Sequence, residues 1–270
     1  MRWSSFFLSC LPLFAIGVGL ASSPVLAQDA RVPLPAQSPN TPWPTTDWPM
    51  GELADLSTVL DPIFETDIGE GLGETRAVII IKQGKIIAER YRNGISPETR
   101  HVSWSVAKSL TTTLVGRAVQ LGLISSIDDP MPAAFKPSDP RGDISWRHWL
   151  QLLDGLDYSE NGTGELITMD TVQMMYGAGT FDQMANVRKN FPLRYEPGTR
   201  WNYSTATFHL VARALQSLLP GTCVDPAAEP TLCEASPKIM SDWVDTVLFD
   251  PLGIDGVVEY DAVGTMLGGS

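Results

Sequence analysis

The chain has 270 residues, with 31 acidic and 19 basic side chains and a formal net charge of −12. Acidity on that scale argues against nucleic acid or an anionic membrane as a partner, because neither polyanion is drawn to such a surface. The length allows one large or two small domains, and no internal repeat divides it.

Residues 1–27 read as a leader. Arg2 supplies a positive n-region, Phe6 to Ala21 an apolar stretch, and Val25-Leu26-Ala27 a small-residue cleavage site before Gln28. The apolar run is too short and wrongly flanked for a membrane span, so a secreted or periplasmic protein without stable membrane insertion is expected. Cys10 lies inside the apolar stretch, which argues against a lipoprotein. Cleavage after Ala27 leaves 18 basic and 31 acidic residues, a formal charge of −13. It also leaves two cysteines, Cys223 and Cys233, bracketing Val224 to Leu232. In an oxidising compartment these suggest a short-range disulfide, with two free thiols as the alternative. No Cys/His spacing resembles a metal site, and no cofactor is expected.

Residues 28–75 are expected to form an arm. Pro33, Pro35, Pro39, Pro42, Pro44 and Pro49, with Trp43 and Trp48, predict an extended segment whose later part packs on the body. Leu53 to Phe64 has the spacing of a short helix. The remainder, 76–270, carries the main domain. Ala77 to Ile81 and Ile86 to Tyr91 flank Lys82-Gln83-Gly84-Lys85, a β-hairpin with glycine at its turn. The first run is apolar throughout, as in a strand covered on both faces.

From Trp104 the period changes to 3.6, with Val106, Leu110, Leu114 and Ala118 in one stripe ending near Gly122. Ser145 to Leu153 predicts a helix capped by Ser145 and stopped by Asp154-Gly155. Thr205 to Leu219 is helical, with Phe208, Val211, Ala212 and Leu215 facing inward. Ser241 to Phe249 is another helix, stopped before Pro251. One hairpin followed by a long helical stretch predicts an α+β body with a helical insertion. Two strands alone are marginal in water. Val257 to Tyr260 offers at best a short edge, so the remaining strands are expected to lie outside this sequence.

Ser105-Val106-Ala107-Lys108 opens the first long helix, and Tyr203 follows in Trp201-Asn202-Tyr203-Ser204-Thr205. Serine and lysine at i and i+3 share one face of a helix. A serine hydroxyl is a poor nucleophile until a base takes its proton. Lysine can do so only when partly neutral, and a tyrosine beside it can share that proton, which then belongs to the pair. A Ser-x-x-Lys tetrad alone barely exceeds chance, and without Tyr203 an exposed helix lysine would be the simpler reading. No Gly-x-Ser-x-Gly elbow is present, and His101, His148 and His209 are scattered. His148, between Trp146 and Trp149, reads as structural. Asp154, Asp157 and Glu160 read as solvated loop carboxylates.

His101-Val102-Ser103-Trp104-Ser105-Val106-Ala107-Lys108-Ser109 resembles the nucleophile motif of the serine β-lactamase and penicillin-binding-protein superfamily. It is most similar to the class C-like branch, with its esterases and 6-aminohexanoate-dimer hydrolases. The segment from Ser145 to Tyr158 resembles the one that follows in that branch, and Glu196 to Ser204 resembles the approach to its tyrosine motif. The resemblance implies a β-lactamase/transpeptidase-like α+β fold, with an antiparallel sheet, a helical domain and the active site between them. It implies Ser105 as nucleophile, Lys108 as proton acceptor and Tyr203 as general base and acid.

Thr205 stands where class C members carry asparagine, which points toward esterases and amidases rather than β-lactam turnover. Gly162 departs from the aromatic residue of some amide-cleaving relatives. Family members also continue past a segment like Gly268-Gly269-Ser270, so the sheet is expected to be incomplete for want of C-terminal strands. The expected function is therefore a secreted serine hydrolase acting on a small-molecule ester or amide. The rival readings are a non-catalytic binding module using the same cleft and an inactive truncated fragment.

Overall fold

The structure, a computed structural model, describes residues 39–41, 47–65, 74–133, 135–161, 165–177, 179, 181–223 and 233–270. The leader over 1–27 and most of the proline-rich segment lie outside these residues. The expected short helix is present as α1, Ser57–Glu65.

Strands β1 (Ala77–Lys82) and β2 (Lys85–Tyr91) pair antiparallel, with a register shift between Ile80 and Ile81. Gln83 (φ 52°) and Gly84 (φ 74°) both take the left-handed region, as a type I′ turn requires. The arm lies along β2: the Ile86 N–H donates to Pro49 O at 2.9 Å and the Gly51 N–H to Ile86 O at 2.8 Å. Arg90 ties the hairpin to α1, pairing with Asp61 and lying over the Phe64 ring.

The expectation that β1 is covered on both faces fails. Ile79 is 52% exposed and Ile81 46%, while on β2 only Ile86 and Ala88 are buried. The isoleucine run reflects β-branched strand preference, not two-sided burial. Among the described residues this sheet has two strands, and its β1 face carrying Ile79 and Ile81 is exposed.

The core is helical. Helix α6 (Thr205–Ser217) runs through its middle, with Leu210, Val211, Ala212 and Ala214 fully buried. Around it pack α2 (Val106–Gln120), α3 (Trp146–Leu150), α4 (Asp170–Tyr176) and α5 (Gln183–Asn190). Trp146 and Trp149 are sealed in this core, and burying a side chain of that size contributes roughly 2–3 kcal/mol. The α2 stripe differs from expectation at its first member: Val106 is exposed, while Lys108, Thr111, Leu114, Val115 and Ala118 form the buried face.

The last helix starts earlier than its hydrophobic pattern suggests. Helix α7 spans Pro237–Val244, capped by Ser236, and continues as a π-helical turn over Asp245–Phe249 into α8, Asp250–Leu252. Pro251 lies inside this run, which closes two residues later where Gly253 (φ 65°) takes the left-handed conformation of a helix C-cap. Strands β3 (Thr222–Cys223) and β4 (Cys233–Glu234) form a minimal ladder in which Cys223 and Cys233 are opposed backbone partners. Among the described residues no helix is long and apolar enough to cross a membrane.

Candidate active site

Ser105 is the N-cap residue of α2, yet its side chain makes no capping hydrogen bond. Its backbone is already helical (φ −64°, ψ −6°), and the N–H groups of Val106, Ala107 and Lys108 close onto the carbonyls three residues back. The hydroxyl is therefore free for another partner. Before it, Trp104 is held at φ +45°, a conformation that costs a bulky L-residue about 1–2 kcal/mol.

One helical turn along, Lys108 is 6% exposed, and its ammonium has three acceptors. Nζ donates to Ser105 Oγ at 3.0 Å, to Thr205 Oγ1 at 3.0 Å and to the Gly269 carbonyl at 2.6 Å. It also lies 4.9 Å from the centre of the Tyr203 ring. The structure thus brings Tyr203, nearly a hundred residues along the chain, against the Ser105–Lys108 pair.

Two close approaches build this cluster. Gly268 and Gly269 enter between α2 and α6, and a Cβ on Gly268 would lie 2.7 Å from Ala212 Cβ. Thr111 Oγ1 donates to Gly268 O at 2.8 Å, fixing the strand of chain whose next carbonyl receives Lys108. The second approach anchors the start of α6. Ser204 accepts from the Thr207 N–H at 3.0 Å as its cap. Asp154 takes the Thr207 hydroxyl at 2.8 Å and the Leu156 N–H at 2.9 Å. Glu160 holds Thr205 twice, at its N–H (2.8 Å) and its hydroxyl (2.6 Å).

Two carboxylates read from the sequence as solvated are therefore built into the site. Asp154 is fully buried, and burial pushes its carboxyl up, opposed by its bonds to Leu156 and Thr207. Glu160 is spent on Thr205. Asp157 alone fits the expectation, exposed and paired with Arg194.

His209, on α6, is completely buried, and neither ring nitrogen has a hydrogen-bond partner among the described residues. Burial, with the nearby Lys108 charge adding to it, depresses its pKa to about 3. Because the folded value lies below the ordinary 6.5, the unfolded chain binds the proton that the native state refuses. The contribution is complete above pH 6.5 and is lost as pH falls toward 3, at up to about 1.4 kcal/mol per pH unit. Asp154, with its raised folded value, acts in the opposite sense from about pH 4 upward. Urea unfolding midpoints measured between pH 7 and 4 should therefore fall more steeply for the native chain than for His209→Leu, and equal slopes would refute the assignment.

A cleft of about 720 Å³ runs beside α2, lined by Val102, Ala107, Leu110, Leu248 and Val258 among others. It flanks Ser105 and does not contain it. Among the described residues no group of three or more His, Cys, Asp or Glu side chains is placed to hold a metal ion.

A buried lysine amine thus meets an exposed serine hydroxyl at a helix start and lies against a tyrosine ring. The β-lactamase family model matches residues 65–223, more than half of the chain, and the chain belongs to the β-lactamase family, a family of hydrolases. It is 32% identical over 117 residues to the 6-aminohexanoate-dimer hydrolase of Paenarthrobacter ureafaciens, in an alignment covering 42% of this chain and 28% of that enzyme. The chain thus spans little more than a quarter of that relative's length.

Solved structures align partially. FmtA from Staphylococcus aureus gives a TM-score of 0.46 at 16% identity, over 70% of this chain and 47% of the other. A D-stereospecific amidohydrolase from Streptomyces sp. gives 0.40 at 18% identity, over 62% and 47%.

Proposed function

We propose that this chain carries the nucleophile and proton-transfer residues of a serine hydrolase that cleaves a small-molecule ester or amide through an acyl-enzyme on Ser105. The observation that carries the reading is the 3.0 Å contact between Lys108 Nζ and Ser105 Oγ, made by a buried amine on an exposed hydroxyl. In the acylation step Ser105 Oγ bonds to the substrate carbonyl carbon as its proton passes to the Lys108–Tyr203 pair. That proton then leaves with the alcohol or amine as the carbonyl's bond to it breaks. A water molecule, deprotonated by the same pair, releases the acid and restores Ser105.

Trp104, next to Ser105, and Trp201, whose ring lies 6.3 Å from that of Tyr203, are both exposed and offer apolar surface to the substrate. The named activity of the Paenarthrobacter relative supports a small-molecule substrate of this kind. The apolar leader through Ala27 supports action outside the cytoplasm.

Hydrolysis of a 4-nitrophenyl ester and a 4-nitroanilide, measured for the native chain and for Ser105→Ala, tests the reading. Turnover that disappears in the variant fits it. Full retention of hydrolysis by Ser105→Ala would sink the acyl-serine mechanism, and ligand binding without turnover by either chain would favour a binding module.

A further inference from the structure

We infer that Glu160 sets the direction of the hydrogen-bond chain that ends on Ser105, making it a positioning residue for the acyl-serine chemistry; the inference rests on the function proposed above. The carboxylate accepts twice from Thr205, Oε2 from the backbone N–H at 2.8 Å and Oε1 from the hydroxyl at 2.6 Å. Both partners are donors, as an ionised carboxylate requires, since it can only accept. The hydroxyl proton of Thr205 is thereby committed to Glu160. Toward Lys108, 3.0 Å away, Thr205 Oγ1 can then act only as an acceptor.

The consequence appears when Lys108 is neutral. A neutral amine has two N–H bonds and one lone pair. Two of its three neighbours can only accept: the Gly269 carbonyl at 2.6 Å and Thr205 Oγ1. They take the two N–H bonds, and the lone pair faces the third neighbour, Ser105 Oγ at 3.0 Å. The Ser105 O–H can then break as the new N–H bond forms, leaving the positive charge on Lys108. Without the carboxylate, the Thr205 hydroxyl is free to turn and donate to the lone pair, competing with Ser105 for the same orbital. Glu160 touches neither Ser105 nor Lys108 directly and acts through the polarity of one hydroxyl.

Glu160→Gln tests this with almost no change of shape. The amide has one oxygen where the carboxylate had two. The Thr205 N–H is a fixed donor, so the amide oxygen must serve it, and the amide NH2 then donates to Thr205 Oγ1. That reverses the hydroxyl and sends its proton toward Lys108. The measurement is the second-order rate of labelling by a fluorophosphonate probe, on the full chain. Glu160→Gln should slow labelling about 10- to 100-fold with its melting temperature little changed. Thr205→Ser, which keeps the hydroxyl, should label at close to the native rate, and Thr205→Val more slowly. In the Thr205→Val background, which has no hydroxyl to reverse, Glu160→Gln should cost nothing further.

A native chain that labels while Glu160→Gln labels equally fast overturns the inference. So does an equal loss from Glu160→Gln in both backgrounds, or a Thr205→Val chain that labels at the native rate. A native chain that takes no label fails the proposed function itself and the inference with it, a result distinct from the others.

Discussion

Lys108→Ala is expected to slow acylation of Ser105 by roughly a thousandfold, the middle of the range for removing a positioned general base. The loss should fall on chemistry more than on folding. Removing the ammonium leaves the Gly269 carbonyl without its donor and one acceptor position on Thr205 empty, but Thr205 keeps its bond to Glu160. The stability cost should stay near 1–2 kcal/mol. Lys108→Arg sharpens the reading, because a guanidinium keeps the charge and cannot be deprotonated in a protein. It should be as inactive as alanine. Fluorophosphonate labelling rates and urea melts of both variants check this; labelling of Lys108→Ala within tenfold of native would remove Lys108 from the mechanism.

The second large effect is expected at Gly269. A Cβ there would lie 2.9 Å from the Thr205 carbonyl oxygen, 3.0 Å from Thr205 Cγ2 and 3.2 Å from His209 Cδ2. Thr205 begins α6 and is held at both its N–H and its hydroxyl, so no flexible tip can yield. Gly269→Ala must shift either its own carbonyl off Lys108 or Thr205 away from Glu160. It should destabilise by about 1–3 kcal/mol and slow labelling about 10- to 100-fold. Gly268→Ala is the informative neighbour. Its Cβ would meet Ala212 Cβ at 2.7 Å and the Phe208 carbonyl oxygen at 2.9 Å, so a similar stability loss is expected. Its carbonyl, however, serves Thr111, and its labelling rate should fall less than that of Gly269→Ala. Equal rates for the two folded variants would contradict a specific role for the Gly269 carbonyl.

Much of the architecture was legible because it is local. The hairpin follows from two β-branched runs around Gln83-Gly84, and α2 and α6 from their 3.6-residue period. Ser145 caps α3 as its position suggests, accepting from the His148 N–H. The early start of α7 was also written in the chain, as Ser236 followed by Pro237 at the first helical position, but the hydrophobic period alone hid it.

What sequence could not show depends on contacts between distant residues. Ser105 and Lys108 share a helix face, so their meeting is a matter of spacing. The Glu160 contact with Thr205 joins residues 45 apart, Asp154 with Thr207 53 apart, and Lys108 with Gly269 161 apart. No periodicity encodes such pairings. A buried aspartate and a solvated one look alike in sequence, as Asp154 and Asp157 show three positions apart.

The most direct test of the central claim is the intact mass of the chain after exposure to a fluorophosphonate, with peptide mapping and Ser105→Ala as control. One phosphonyl adduct per native chain, located on Ser105, and none on the variant is the expected result. An adduct on another residue, or the same mass gain in Ser105→Ala, would contradict it.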